Sequence, residues 1–131
     1  GAVGVDVERG RAKKLRVAFH FALGRQTGWD CETCRKNGLP VQRRCGWLAE
    51  GRAAPVKVVW ARGPVMTEAC PRTEITAASQ AWLEMFAVWK RLGGGDLWTL
   101  AAKDAEALAV LEEEWEKERQ NVEQRRRNAR E

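Results

Sequence analysis

Residues 29–47 read Trp-Asp-Cys-Glu-Thr-Cys-Arg-Lys-Asn-Gly-Leu-Pro-Val-Gln-Arg-Arg-Cys-Gly-Trp. This stretch holds three of the four cysteines, Cys31, Cys34 and Cys45, and the fourth is Cys70 in Ala69-Cys70-Pro71. The spacing is C-x2-C-x10-C-x24-C. Two thiolates two residues apart can hold one metal ion from a single tight turn. The other two must be delivered by the fold, which gives the four-sulfur tetrahedral shell that structural zinc prefers. Gly46 can take up the positive φ that lets backbone wrap a metal. The sequence therefore predicts one structural Zn2+ held by Cys31, Cys34, Cys45 and Cys70. Such a site is closed to substrate, because four thiolates leave no open position.

Other fates of the cysteines are weighed beside this one. Two disulfides are an alternative, but no apolar signal stretch opens the sequence, and a reducing compartment keeps thiols free. A redox pair at Cys31 and Cys34 would want a βαβ context with the pair at a helix N-terminus. Residues 35–40 (Arg-Lys-Asn-Gly-Leu-Pro) read instead as a turn. Buried free thiols complete the set.

The chain has 131 residues, of which 44% are hydrophobic and seven are tryptophan, so a core can form. No run approaches the length of a membrane span, and no membrane partner is expected. The net charge of +5 is unevenly spread. Residues 1–75 carry 14 Lys and Arg against 7 Asp and Glu, whereas residues 76–131 carry 9 against 11. The positive excess thus travels with the cysteines. It marks a nucleic-acid surface, a face for an acidic protein, or a solvated basic face.

Outward from the cysteines, residues 1–14 read as a mobile arm with a basic cluster at Arg9, Arg11, Lys13 and Lys14. Val3, Val5 and Val7 alternate weakly, so the arm could add to a sheet edge. Leu15, Val17, Phe19, Phe21 and Leu23 alternate with Arg16, Ala18, His20 and Ala22, the two-residue period of a half-buried strand. A short helix is the alternative. His20, the single histidine, either substitutes for a cysteine at the metal or, more ordinarily, faces solvent or a carbonyl. Trp29 and Trp47 flank the cysteine stretch and either stack on bases or cover the sulfurs. The covering role fits a small metal module better.

Residues 56–61 and 65–69 read as two strands joined at Arg62-Gly63-Pro64, a hairpin that would carry Cys70 back to the other cysteines. Thr76 is a candidate N-cap. Residues 77–92 read as a helix with Ala78, Trp82, Met85, Phe86, Trp89 and Leu92 on one stripe. Gly93-Gly94-Gly95-Asp96 ends it, and lacks the Gly-Lys-Ser/Thr of a phosphate loop. A second helix runs from about Ala101 into the Arg125 region, its buried stripe formed by Ala101, Ala105, Leu108, Leu111, Trp115 and Val122. The short loop implies antiparallel packing on the first helix. Residues 112–116 read mostly as a solvated face, and Arg125, Arg126, Arg127 and Arg130 as a basic tag.

The expected class is α+β. A zinc-stabilised β module over residues 15–75 precedes an antiparallel helical hairpin with a long C-terminal helix over residues 76–131.

From Cys70 onward the order of features is Cys70-Pro71, Ile75-Thr76-Ala77-Ala78-Ser79, Glu84-Met85-Phe86, Trp89-Lys90-Arg91, Gly93-Gly94-Gly95-Asp96-Leu97, then Ala105 to Glu112. This loose helix–glycine loop–helix pattern resembles small proteins encoded in the tail-gene cluster of long-tailed bacteriophages, including tail assembly chaperones. The resemblance implies a non-enzymatic protein that binds phage tail proteins in the host cytoplasm during assembly, or that stays in the virion. The four-cysteine module departs from those chaperones. No catalytic residue is implied, and no catalytic constellation stands in the sequence. The rival expectation is a zinc-ribbon nucleic-acid binder, with Arg25, Arg35, Lys36, Arg43, Arg44 and Arg52 on phosphates and Trp29 or Trp47 on bases. Self-association is left open.

Overall fold

Residues 11–16, Arg-Ala-Lys-Lys-Leu-Arg, are all good helix formers, and neither Gly nor Pro separates them from Val17 to Leu23. In the computed structural model they lie inside one helix, α1 (Ala2–Leu23). The structure describes residues 2–24, 27–40, 42–43, 45 and 58–130, with the side chains of residues 2–9 and 27 left aside. The expected arm and strand are therefore corrected to a single helix. The alternation misled because Leu15 and Phe19, and Val17 and Phe21, are also four residues apart, which is helical spacing. The two periods separate only at the in-between positions. Ala18 and His20, expected on the opposite face, are buried as well.

The chain folds as two compact units, residues 1–80 and 81–131. In the first, α1 is followed by a 3-10 turn (Thr27–Trp29) and α2 (Cys31–Lys36). Then come a two-stranded antiparallel sheet, β1 (Trp60–Arg62) and β2 (Val65–Thr67), and α3 (Pro71–Glu74). The hairpin expected here is present, with Trp60 opposite Thr67, Ala61 opposite Met66 and Arg62 opposite Val65. Gly63 takes φ 58° at the first position of its two-residue turn, the left-handed conformation such turns require. Val56 and Lys57 lie outside the described residues. The β content is two short strands, so this unit is mostly helical. Its core is Val17, Phe21 and Trp60, with Trp29, Val65 and Ile75 packed against it. The Phe21 and Trp60 rings lie 5.8 Å apart.

α4 (Ala77–Arg91) starts where expected. The Thr76 hydroxyl accepts from the Ser79 amide at 3.0 Å, satisfying a free helix-end donor. The other end closes as a Schellman motif. Gly94 N–H donates to Trp89 C=O at 2.9 Å and Gly93 N–H to Lys90 C=O at 3.0 Å, with Gly93 at φ 93°.

α5 (Ala102–Arg130) is 29 residues long, roughly 43 Å. Within the second unit its core is Phe86, Ala107, Leu108 and Leu111, the two leucines being fully buried. The expected antiparallel sense is corrected. Trp82 Nε1 donates to Asp104 at 2.9 Å, and Lys90 Nζ to Glu112 at 2.8 Å. Moving eight residues along α4 thus moves eight residues the same way along α5. In an antiparallel pair the partners would diverge by about 24 Å over that step. The helices run in parallel sense, and residues 92–101 carry the chain back. Gly94 and Gly95 lie against the Trp89 ring on that return, leaving a Cβ on Gly94 only 3.4 Å from it. Phe86 meets Trp115 with ring centroids 6.3 Å apart. Beyond Trp115, residues 116–130 are mostly exposed and carry intrahelical pairs such as Arg119–Glu116 and Arg127–Glu123.

The carboxylates of residues 112–116 are less uniformly solvated than expected. Glu112 is half-buried and bound by Lys90. Glu114 is buried, with Lys117 at 3.7 Å. Among the described residues no helix is long and apolar enough to cross a membrane.

Candidate metal centre

Asp30 begins the site. Its carboxylate accepts from the Thr33 amide at 3.1 Å and the Thr33 hydroxyl at 3.0 Å, capping α2. These bonds favour the charged form and hold the Asp30 carboxyl below its ordinary value. α2 therefore starts at Cys31, and Cys34 follows three residues on, so both thiols share one side of the helix. This corrects the turn expected over residues 35–40: Arg35 and Lys36 finish the helix. Gly38 turns the chain at φ 64°, with Leu39 N–H donating to Cys34 C=O at 3.0 Å and Gly38 N–H to Arg35 C=O at 3.2 Å. That is a second Schellman closure. Two backbone bonds then tie Arg43 and Cys45 to the end of this closure. Arg43 N–H donates to Leu39 C=O, and Cys45 N–H to Pro40 C=O, both at 2.9 Å. Cys45 is thereby returned toward α2.

Cys70 arrives from the other direction. β2 ends at Thr67, whose hydroxyl donates to Ala69 C=O at 2.6 Å. Cys70 then stands at the N-cap of α3, with Pro71 supplying the first helical residue. Burial pushes the Cys70 thiol up from its ordinary value. The amides of Arg72 and Thr73 oppose that shift, and the neighbouring Cys45 and Cys31 add to it.

All four cysteines line one cavity of about 270 Å3, together with Trp29, Arg35, Pro40 and Arg43. All four are free thiols; Cys70 is buried and the other three are half-buried. Residues up to 39 positions apart in sequence thus converge on one space. The convergence is not a finished coordination shell. Among the described residues no group of three or more His, Cys, Asp or Glu is disposed to hold a metal ion. Tetrahedral zinc–thiolate geometry places sulfurs about 3.8 Å apart, the arrangement a finished shell would need.

Trp29 forms the wall between this cavity and the core of the unit. Two arginines hold it. Arg43 stacks 4.1 Å from the Trp29 ring centroid and donates to Gly28 C=O at 2.9 Å. Arg72 Nε donates to Trp29 C=O. Sequence reasoning missed both arginines as structural groups, because nothing in their spacing says which carbonyl or ring they reach. Trp47, Gly46, Arg25, Arg44 and Arg52 lie outside the described residues.

His20 does not line the cavity. It is buried on α1, and its Nδ1 lies 2.8 Å from an Arg62 guanidinium nitrogen. Since Arg62 can only donate, Nδ1 is the acceptor in that bond.

No known family, curated protein or solved structure matches this chain.

Proposed function

We propose that the chain is a non-enzymatic binding protein, whose first unit is closed by one structural zinc ion on Cys31, Cys34, Cys45 and Cys70. The observation that carries this reading is the shared cavity of the four thiols. The donor set fits the ion chemically: four soft sulfurs, two of them on the first turns of α2, one at Cys45 beyond it and one at the N-cap of α3. Among the described residues the thiols do not form a finished metal-binding group, and zinc would have to gather them. Binding of the metal would then tighten the unit, since a site gathered from four places couples metal affinity to folding. Zinc would supply no reaction here, only cross-linking of α2, Cys45 and the start of α3.

On this reading the helical second unit carries the interaction, and the partner is a phage tail protein, as the resemblance of residues 70–112 suggests. Of the tryptophans on that unit, Trp98 is 95% exposed and Trp115 40%. Exposed aromatic side chains of this kind act as anchors in protein interfaces. Trp82 and Trp89 are half-buried against α5 and the glycine loop and serve mainly as packing.

The nucleic-acid alternative loses part of its support. One face of Trp29 is covered by Arg43, and that arginine is committed to the protein itself.

Native mass measurement after reconstitution tests the metal. One zinc per chain is expected, falling to substoichiometric on Cys45→Ser or Cys70→Ser. A wild-type mass that stays metal-free overturns the zinc reading. Co-expression with the proteins encoded beside it tests the assembly role: a stable complex with a tail protein supports it, and a chain that purifies alone removes it. Binding to DNA or RNA that survives near-physiological salt would favour the alternative instead.

A further inference from the structure

α4 carries two apolar stripes, and α5 covers only one. Trp82, Phe86 and Trp89 face α5 and the return loop. Ala81, Met85, Val88 and Leu92 form the second stripe, at steps of four, three and four residues. All four are exposed: Met85 at 38%, Val88 at 54% and Leu92 at 82%. At 100° per residue this stripe lies about a quarter of a turn from the side facing α5. Leu92 continues it past the last helical residue, because its N–H still donates to Val88 C=O at 3.0 Å.

Steps of three and four are the seam of a coiled coil, with Ala81 and Val88 at one core position and Met85 and Leu92 at the other. The residues just beside that seam are informative. Glu84 and Arg91 stand seven residues apart on its far flank, both exposed, and neither forms an ion pair among the described residues. One is acidic and the other basic, so the stripe is complementary to itself turned end for end.

We propose that this face binds a second copy of the chain, α4 packing antiparallel on α4 about a two-fold axis. The register follows from the spacing. Met85 of one copy meets Val88 of the other, and Ala81 meets Leu92. That same register brings Glu84 and Arg91 onto one flank, about 3 Å apart along the axis and within reach of each other, twice by symmetry. A two-fold interface requires this reciprocity, residue i meeting j and j meeting i. A parallel pairing would instead put Glu84 and Arg91 of the two copies on opposite flanks, so that neither would meet its opposite charge. The inference does not depend on the zinc site or on the tail-protein reading. The seam covers two heptads, less than a standard interface of about 1,200 Å2, so a weak dimer with a micromolar dissociation constant is expected.

Sedimentation equilibrium of the full chain, from about 1 μM to 1 mM under reducing conditions, tests this. The expected result is a shift from 14.8 kDa to twice that mass. A chain that remains at 14.8 kDa throughout overturns the proposal. Leu92→Glu should abolish the dimer with an unchanged circular dichroism spectrum, because Leu92 contributes almost nothing to the monomer's core. A dimer that survives Leu92→Glu also overturns it. Glu84→Arg and Arg91→Glu should each weaken association by about tenfold, and the double exchange should restore it. Restoration supports the antiparallel register; a double variant as weak as the singles refutes it.

Discussion

The two units solve the problem of a small core in different ways. The second buries a continuous stripe: Leu108 and Leu111 of α5 are fully enclosed, beside Phe86 of α4. Its polar contacts, Trp82 to Asp104 and Lys90 to Glu112, fix the alignment of the two helices. Among the described residues, the elements of the first unit that follow α1 are short: α2, two three-residue strands and α3. Its core of Val17, Phe21 and Trp60 is joined to a cavity lined by thiols, through a tryptophan that two arginines pin in place. The second unit is held by area removed from water, the first by specific links between short segments. A unit of the first kind tolerates change at any one link only if the others hold. A unit of the second kind fails wherever its stripe is cut.

The largest effect expected from breaking this contrast is at the stripe. Leu111→Ala leaves a cavity among fully buried side chains and should cost about 3 kcal/mol. Chemical denaturation followed by hydrogen exchange would show protection lost along α4 and α5. On the zinc reading proposed above, metal uptake by the first unit should be unchanged. If the same variant abolished zinc uptake, the two units would have to be treated as one cooperative structure.

A smaller effect is expected at the links. Arg43→Ala removes both the stacking on Trp29 and the bond to Gly28 C=O. Together these should cost about 1–2 kcal/mol in the metal-free protein. Tryptophan emission would report the added exposure of Trp29. If the proposed zinc binds, the loss should be smaller in the zinc-loaded protein, where the metal would hold the same segments together. An equal loss in both forms would show that the arginine link and the metal act on different parts of the unit.

The sequence was legible where a local rule sufficed. The hairpin turn at Gly63-Pro64, the Thr76 cap and the glycine closure of α4 each follow from the chemistry of one or two residues. The reading of α1 failed because pairs such as Leu15–Phe19 and Val17–Phe21 satisfy the strand and helix periods together, and only burial of Ala18 and His20 separates them. The sense of α5 failed for another reason. Short loops favour antiparallel neighbours, but residues 92–101 are long enough to run the length of α4. Glycines beside Trp89 make room for that return, information that lies in tertiary packing. At the candidate site, the pattern of cysteines foretold a meeting place. It could not foretell that α2 would begin on Cys31, or that arginines would wall the cavity.

The smallest effect sharpens the comparison at the edge of that cavity. Asp30 holds the start of α2 through the Thr33 amide and hydroxyl, and these bonds lower its pKa from an ordinary 3.8. A carboxylate whose folded pKa is depressed stabilises the fold above its unfolded value. That contribution is lost as pH falls below about 3.8 and through the lower folded value. The group is exposed, so the change should be confined to α2. Amide exchange at Thr33 should accelerate as pH falls through this window, beyond the intrinsic pH dependence seen in an unstructured peptide. The amides of α5 should keep their protection over the same range. Asp30→Ala should show the faster Thr33 exchange already at neutral pH. If Thr33 stayed protected in that variant, the start of α2 would be fixed by the backbone bonds of Arg43 and Cys45 to Leu39 and Pro40 and not by its own cap.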